Sequence, residues 1–178
     1  MVMVQKGKII CAPATSGGGA IAIIRVSGQG AIETLSEIFQ PADKQIDICN
    51  AKGYSLIYGT ISSHDEFIDQ ALVSIFRAPH SYTGDDMAEI SCHASPFIQR
   101  RIIEILIGKG VETATPGEFT MRAFMNGKMD LSQAEAVADL IAADSEAAHR
   151  LAATQLRGGL SEGIEKLRQD LISFASLI

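Results

Sequence analysis

The apolar residues of this 178-residue chain change period near Thr115, and that change fixes the class of fold open to it. Before it, apolar and β-branched runs are short and punctuated by Gly, Pro and Ser, as strands are. After it, apolar residues return at steps of three and four, as in helices that bury one face. The expectation is an α+β fold. An N-terminal antiparallel or mixed sheet with helices occupies 1–118, and a partial all-α segment follows over 119–178.

Ile9 to Ala14 and Ala20 to Ser27 read as strands around a Gly-rich loop, Gly17-Gly18-Gly19. Gly28 to Gln40 reads as a helix with Ile32, Leu35, Ile38 and Phe39 on one face, closed by Pro41. A polar connection, Gln45 to Gly53, has no clear period. Tyr54 to Ile61 and Asp69 to Arg77 form an antiparallel pair joined through Ser62 to Glu66, and Pro79 to Asp86 is a loop of turn formers. Met87 to His93 alternates like a half-buried strand. Ser95-Pro96 opens a helix through Lys109, and Val111 to Ala114 adds an edge strand.

Beyond Thr115, Pro116 suits the first turn of a helix carrying Phe119, Ala123 and Phe124, and Asn126-Gly127 stops it. Lys128 sits in the turn. Asp130 or Ser132 caps the next helix, whose apolar face reads Ala134, Val137, Ala138, Ile141. Ser145 caps a last helix expected to run about 50 Å to Ile178 at about 1.5 Å per residue. Its stripe, Leu156, Leu160, Ile164, Leu167, Leu171, Phe174 and Ile178, has too little chain here to cover it, and Gly158, Gly159 and Gly163 weaken it.

The segment TPGEFTMRAFMNGKMDLSQAEAVADLI, Thr115 to Ile141, holds more polar detail than a core needs. It closely resembles the MnmE/TrmE family, GTPases that modify the wobble uridine of certain tRNAs. IAIIRVSG (Ile21 to Gly28) and PHSYTGDDMAEISCH (Pro79 to His93) are similar to further family segments, so the resemblance runs from Ile9 to the last residue. Two departures stand out. Thr15-Ser16-Gly17-Gly18-Gly19-Ala20 lacks the Arg of the family's Pro-Pro-Gly-Arg-Gly-Gly run, and Ala94-Ser95 replace Gly-Gly after His93.

The resemblance implies a folate-binding-domain-like N-terminal part that binds 5-formyl-tetrahydrofolate or a related reduced folate. It implies a homodimer through that part, work with the flavoprotein MnmG (GidA), and action on tRNA at C5 of U34 through the full-length complex. GTP hydrolysis, with Mg and K, belongs to a GTPase domain, and no G-x-x-x-x-G-K-[ST] loop occurs in these residues. Asn126-Gly127-Lys128-Met129-Asp130 only superficially looks like a guanine-specificity motif. The expectation is the front piece of a longer GTP hydrolase, with no GTPase activity of its own.

A reduced folate asks for a carboxylate at its pterin N–H edge, an apolar wall and cations for its tail. By the resemblance, Glu89 is the carboxylate, and Arg25 and Lys128 are the cations. The plain readings stand beside these: Glu89 on a solvated strand face, Arg25 in a structural salt bridge, Lys128 solvated in its turn. His93 reads as a packed strand-end histidine. Ser81 and Asp85 beside His80 make a poor triad, since sequence neighbours rarely form one. Glu118 and Arg122 most simply form an i, i+4 helix pair. No catalytic residue and no metal site is expected.

With net charge −6 and Lys and Arg scattered singly, no basic stripe exists for a phosphate backbone, so tRNA contact through this piece alone should be weak. Cys11, Cys49 and Cys92 lie far apart, without zinc or disulfide spacing. No signal peptide and no membrane-length apolar run is seen, which reads as cytoplasmic. Two other functions remain open: a stand-alone folate-dependent aminomethyl or formyl transferase, and an assembly module without ligand.

Overall fold

The computed structural model describes residues 7–15, 18–63 and 66–176. Ser16 and Gly17 of the Gly-rich loop, His64 and Asp65 of the strand connection, the opening residues 1–6 and the end of the apolar stripe at Ile178 lie outside them. The chain divides into two compact units, Met1–Arg122 and Ala123–Ile178. Among the described residues there are seven strands in one mixed sheet and six α-helices, an α+β architecture with the helical segment C-terminal.

The sheet runs β3-β4-β5-β6-β2-β1-β7. β1 is Ile10–Pro13, β2 Ile21–Ser27, β3 Phe39–Pro41, β4 Ser55–Ser63, β5 Glu66–Phe76, β6 Met87–His93 and β7 Glu112–Thr113. Among the described residues, the β1–β7 pairing is parallel and the other five are antiparallel. Strand alternation gives the sheet two unlike faces. One row across four strands reads Ile57, Val73, Ile90, Ile24, and all four are buried with α1 (Ala31–Ser36) and α2 (Pro96–Gly108) in the core. Each such Ile or Val contributes about 1.5–3 kcal/mol by burial. The opposite face carries the rows Leu56, Ser74, Glu89, Arg25 and Tyr58, Leu72, Ser91, Ile23. Leu56, Tyr58 and Leu72 remain exposed there.

Two element boundaries differ from expectation. The helix over Gly28 to Gln40 stops at Ser36, and Phe39–Pro41 is instead a strand paired with β4. Pro41 explains this, because a residue before proline is driven out of the helical region toward extended backbone. Phe39 is fully buried by lying across Gly59, where an added Cβ would come within 2.5 Å of the Phe39 ring and 2.3 Å of the Gln40 carbonyl oxygen.

The long last helix is broken as well. α5 is Glu146–Leu156, capped by the Ser145 hydroxyl accepting from Ala148 N–H, and α6 is Gly159–Ala175. Gly158 stands between them at φ 88°, a left-handed conformation that glycine adopts without a Cβ penalty. In the same unit α4, Leu131–Ala142, begins with a capping box: Asp130 accepts from Gln133 N–H while the Gln133 side chain returns to Asp130 N–H. Gln133 also donates to Leu156 O at 2.9 Å and Gln155 to Ser132 O at 3.3 Å, pairing α4 and α5. Ile164, Leu167, Leu171 and Phe174 on α6 are exposed.

Candidate functional site

The open face of the sheet brings Arg25 and Glu89 together. They are register partners on β2 and β6, and cross-strand neighbours on one face are close enough for side chains to meet. Both Arg25 contacts, Nε at 2.9 Å and Nη2 at 2.7 Å, fall on Glu89 Oε1, and Oε2 takes neither. The pair is about three-quarters withdrawn from solvent. At that depth the loss of one partner strands the charge of the other.

Two aromatic rings flank the guanidinium, with Tyr82 at 5.2 Å and Phe119 at 5.4 Å from its central carbon, within cation–π range. Tyr82 is itself held, its hydroxyl 2.8 Å from Thr120 Oγ1. The residues 77–86 that carry it are tied at both ends. Arg77 pairs with Asp86 at 3.0 Å and donates to the carbonyls of Ile48, Cys49 and Ala51, while Asp86 Oδ1 accepts from Ala78 N–H at 2.8 Å. Inside the loop Ser81 Oγ donates to Asp85 O and accepts from Gly84 N–H, so it shapes a turn rather than pairing with His80.

Phe119 and Thr120 lie in the first turn of α3, Glu118–Met125, which a buried charge pair anchors. Arg122 donates to Glu118 at 2.9 Å and to Lys8 O at 2.7 Å, and Glu118 Oε2 accepts from Thr115 N–H and hydroxyl. The expected i, i+4 pair is therefore present and mostly buried. Burial pushes the Glu118 carboxyl up. The Thr115 N–H, Arg122 and the Thr115 hydroxyl outweigh that and hold it below its ordinary value.

Lys128 belongs to the second unit, where its N–H donates to Ala123 O at 2.9 Å as the chain leaves α3. His93 is not packed, as its sequence position suggested, but mostly exposed, and its ring is held by a buried carboxylate, Asp69, at 2.7 Å. Burial pushes the Cys11 and Cys92 thiols up to about 11, with the Asp69 charge adding to it at Cys92. Among the described residues no group of three or more His, Cys, Asp or Glu is placed to hold a metal ion, and no helix is long and apolar enough to cross a membrane.

Sequence reasoning missed Tyr82 and Phe119 as parts of this face, and Asp69 as the buried partner of His93. Tyr82 sits among turn formers and Phe119 at helical spacing, so each reads as ordinary loop or core. A charged residue opening an otherwise apolar run, Asp69-Gln70-Ala71-Leu72-Val73, was the available signal for Asp69.

The arrangement defines an α+β module that sets an Arg–Glu pair beside two aromatic rings on an open sheet face and is followed by helices. Residues 9–128 match the family model for the GTP-binding protein TrmE N-terminus, and 131–178 match that for the MnmE helical domain. The chain belongs to the TrmE/MnmE family and carries its N-terminal and helical-domain sequence. It is 56% identical over 169 residues to the tRNA modification GTPase MnmE of Bacteroides thetaiotaomicron, covering 95% of this chain and 36% of that protein. It is 52% identical over 176 residues to the protein of the same name in Flavobacterium psychrophilum, covering 99% of this chain and 38% of that one. The chain thus spans little more than a third of these relatives' length.

Proposed function

We propose that this chain is the folate-binding and dimerisation portion of a tRNA modification GTPase that acts at C5 of the wobble uridine, U34. The observation that carries the reading is the Arg25–Glu89 pair set against Tyr82 and Phe119 on an open sheet face. Glu89 Oε2 is the acceptor for a pterin N–H edge, the rings form the flat wall, and Arg25 fixes the carboxylate it pairs with. Lys128 is the cation for the glutamate tail. The folate, of the 5-formyl-tetrahydrofolate type, supplies the one-carbon unit when bound. GTP hydrolysis, with Mg and K, belongs to the rest of the parent protein, which works with the flavoprotein MnmG (GidA) on tRNA.

Titration of 5-formyl-tetrahydrofolate into the chain tests this. Glu89→Ala should weaken binding by about 1.5–3 kcal/mol, the cost of losing a charged hydrogen-bonding partner. Lys128→Ala should cost less, since an exposed ion pair is worth about 0–1 kcal/mol. Unchanged affinity in Glu89→Ala removes that residue from the site. The apolar part of the open face, Leu56, Tyr58 and Leu72, supports dimerisation through the sheet. Leu56→Glu should then give monomers in sedimentation at tens of micromolar while Leu167→Glu on α6 does not, and the reverse result refutes the sheet-side dimer.

A further inference from the structure

Thr120, in the first turn of α3, sets its hydroxyl 2.8 Å from the Tyr82 hydroxyl, although 38 positions separate the two residues. Each partner's segment already has its own anchor. The residues 77–86 are closed by Arg77 and Asp86 at 3.0 Å, and buried Thr83 sets its Oγ1 2.7 Å from the Oγ of buried Ser27, which pins the loop to β2. α3 is held separately, by the Glu118–Arg122 pair and by Arg122 donating to Lys8 O at 2.7 Å. Neither anchor joins the loop to the helix. The Tyr82–Thr120 contact does.

That link matters because of what the two segments carry. Tyr82 brings one ring to 5.2 Å from the Arg25 guanidinium carbon, and Phe119, next to Thr120, brings the other to 5.4 Å. A cation is held over a ring within about 6 Å, so both rings lie near the edge of that range and a small parting of loop and helix loosens Arg25. Arg25 in turn places both of its contacts, 2.9 and 2.7 Å, on Glu89 Oε1. Freedom at the guanidinium is therefore freedom at the carboxylate.

We propose that Thr120 is a positioning residue of this site: through Tyr82 it keeps the two rings in place beside Arg25, and so fixes the orientation of the Glu89 carboxylate. Thr120 itself touches no ligand. The inference rests on the folate reading and adds to it a residue that acts only through others. What the position requires is a hydroxyl rather than a volume, so serine serves at 120 and valine does not.

The test titrates 5-formyl-tetrahydrofolate into the 178-residue chain and its variants. Thr120→Val, of similar shape without the hydroxyl, should raise the dissociation constant about threefold to tenfold, the range of one lost hydrogen bond. Tyr82→Phe keeps the ring and should do the same. The double variant should lose no more than either single change, since both break one bond. Thr120→Ser should bind like the wild type. Thr34→Val removes a comparable hydroxyl bond, 2.9 Å to Gly30 O on α1, and is the control for a merely structural role. It should lower the urea midpoint and leave the dissociation constant unchanged. Wild-type affinity in Thr120→Val or Tyr82→Phe, additive losses in the double variant, no rescue by Thr120→Ser, or an equal loss in Thr34→Val overturns the proposal while leaving the folate reading intact. No binding by the wild type overturns both, and that outcome is read before any variant is made.

Discussion

Glu118→Ala should destabilise the N-terminal unit more than any change in the exposed ion pairs, and the reason is countable. Glu118 receives three hydrogen bonds, two from Thr115 and one from Arg122, and Arg122 has side-chain exposure of only 6%. Removing Glu118 leaves the guanidinium buried, bonded among the described residues to Lys8 O, with Nε unsatisfied. Breaking a buried pair from one side costs about 3–5 kcal/mol, most of it the stranded charge. Arg122→Met added to Glu118→Ala should therefore recover part of the loss. The depressed Glu118 pKa adds a pH signature. Its stabilisation is full above the unfolded value of 4.5 and fades as pH falls through the lower folded value, so Glu118→Gln should flatten the acid limb. Urea unfolding followed by circular dichroism, at pH 7 and on a series below 4.5, measures both effects. A cost under about 1 kcal/mol, or additive loss in the double variant, refutes the reasoning.

Gly59→Ala should cost about 1–3 kcal/mol or more in the same assay, because its Cβ would strike the Gln40 carbonyl and the Phe39 ring rather than a movable side chain. Gly158→Ala should cost about 1–2 kcal/mol, seen as lost helical signal, since φ 88° is unfavourable for an L side chain. Asp130→Ala should cost about 1 kcal/mol and raise amide exchange in the first turn of α4. An Ellman titration at pH 8 should modify half-buried Cys49 first, because Cys11 and Cys92 are buried with thiols raised to about 11 and are almost wholly protonated there.

Elements whose pattern agrees with their own backbone preference were legible in the sequence. Met87–His93 alternates cleanly and is a strand over that span, and Ser95-Pro96 opens α2 where a proline at N1 predicts. Phe39 misled because its spacing continues the helical face of Ile32 and Leu35, while the deciding residue, Pro41, acts two positions later on backbone rather than on hydrophobic pattern. Gly158 misled in the opposite sense: its weakening effect was visible, but the heptad-like stripe continues past it, and the left-handed turn at φ 88° is a backbone property that the stripe does not encode.

The candidate site was legible only as separate residues. Arg25 and Glu89 stand 64 positions apart, and their meeting depends on the β2–β6 register, which no local pattern encodes. The bland reading of Arg25 as one half of a salt bridge and the functional reading of Glu89 as a ligand acceptor are compatible in one geometry, because both contacts fall on a single carboxylate oxygen. Arg25 therefore acts first on Glu89. The consequence is testable: Arg25→Lys keeps the charge but loses the Nε contact and the guanidinium set between Tyr82 and Phe119. If Arg25 only attracts an anionic tail, Arg25→Lys should bind folate like the wild type. If it sets the carboxylate, Arg25→Lys should weaken binding about as much as Arg25→Ala, and truncating the glutamate tail of the probe should leave that loss unchanged.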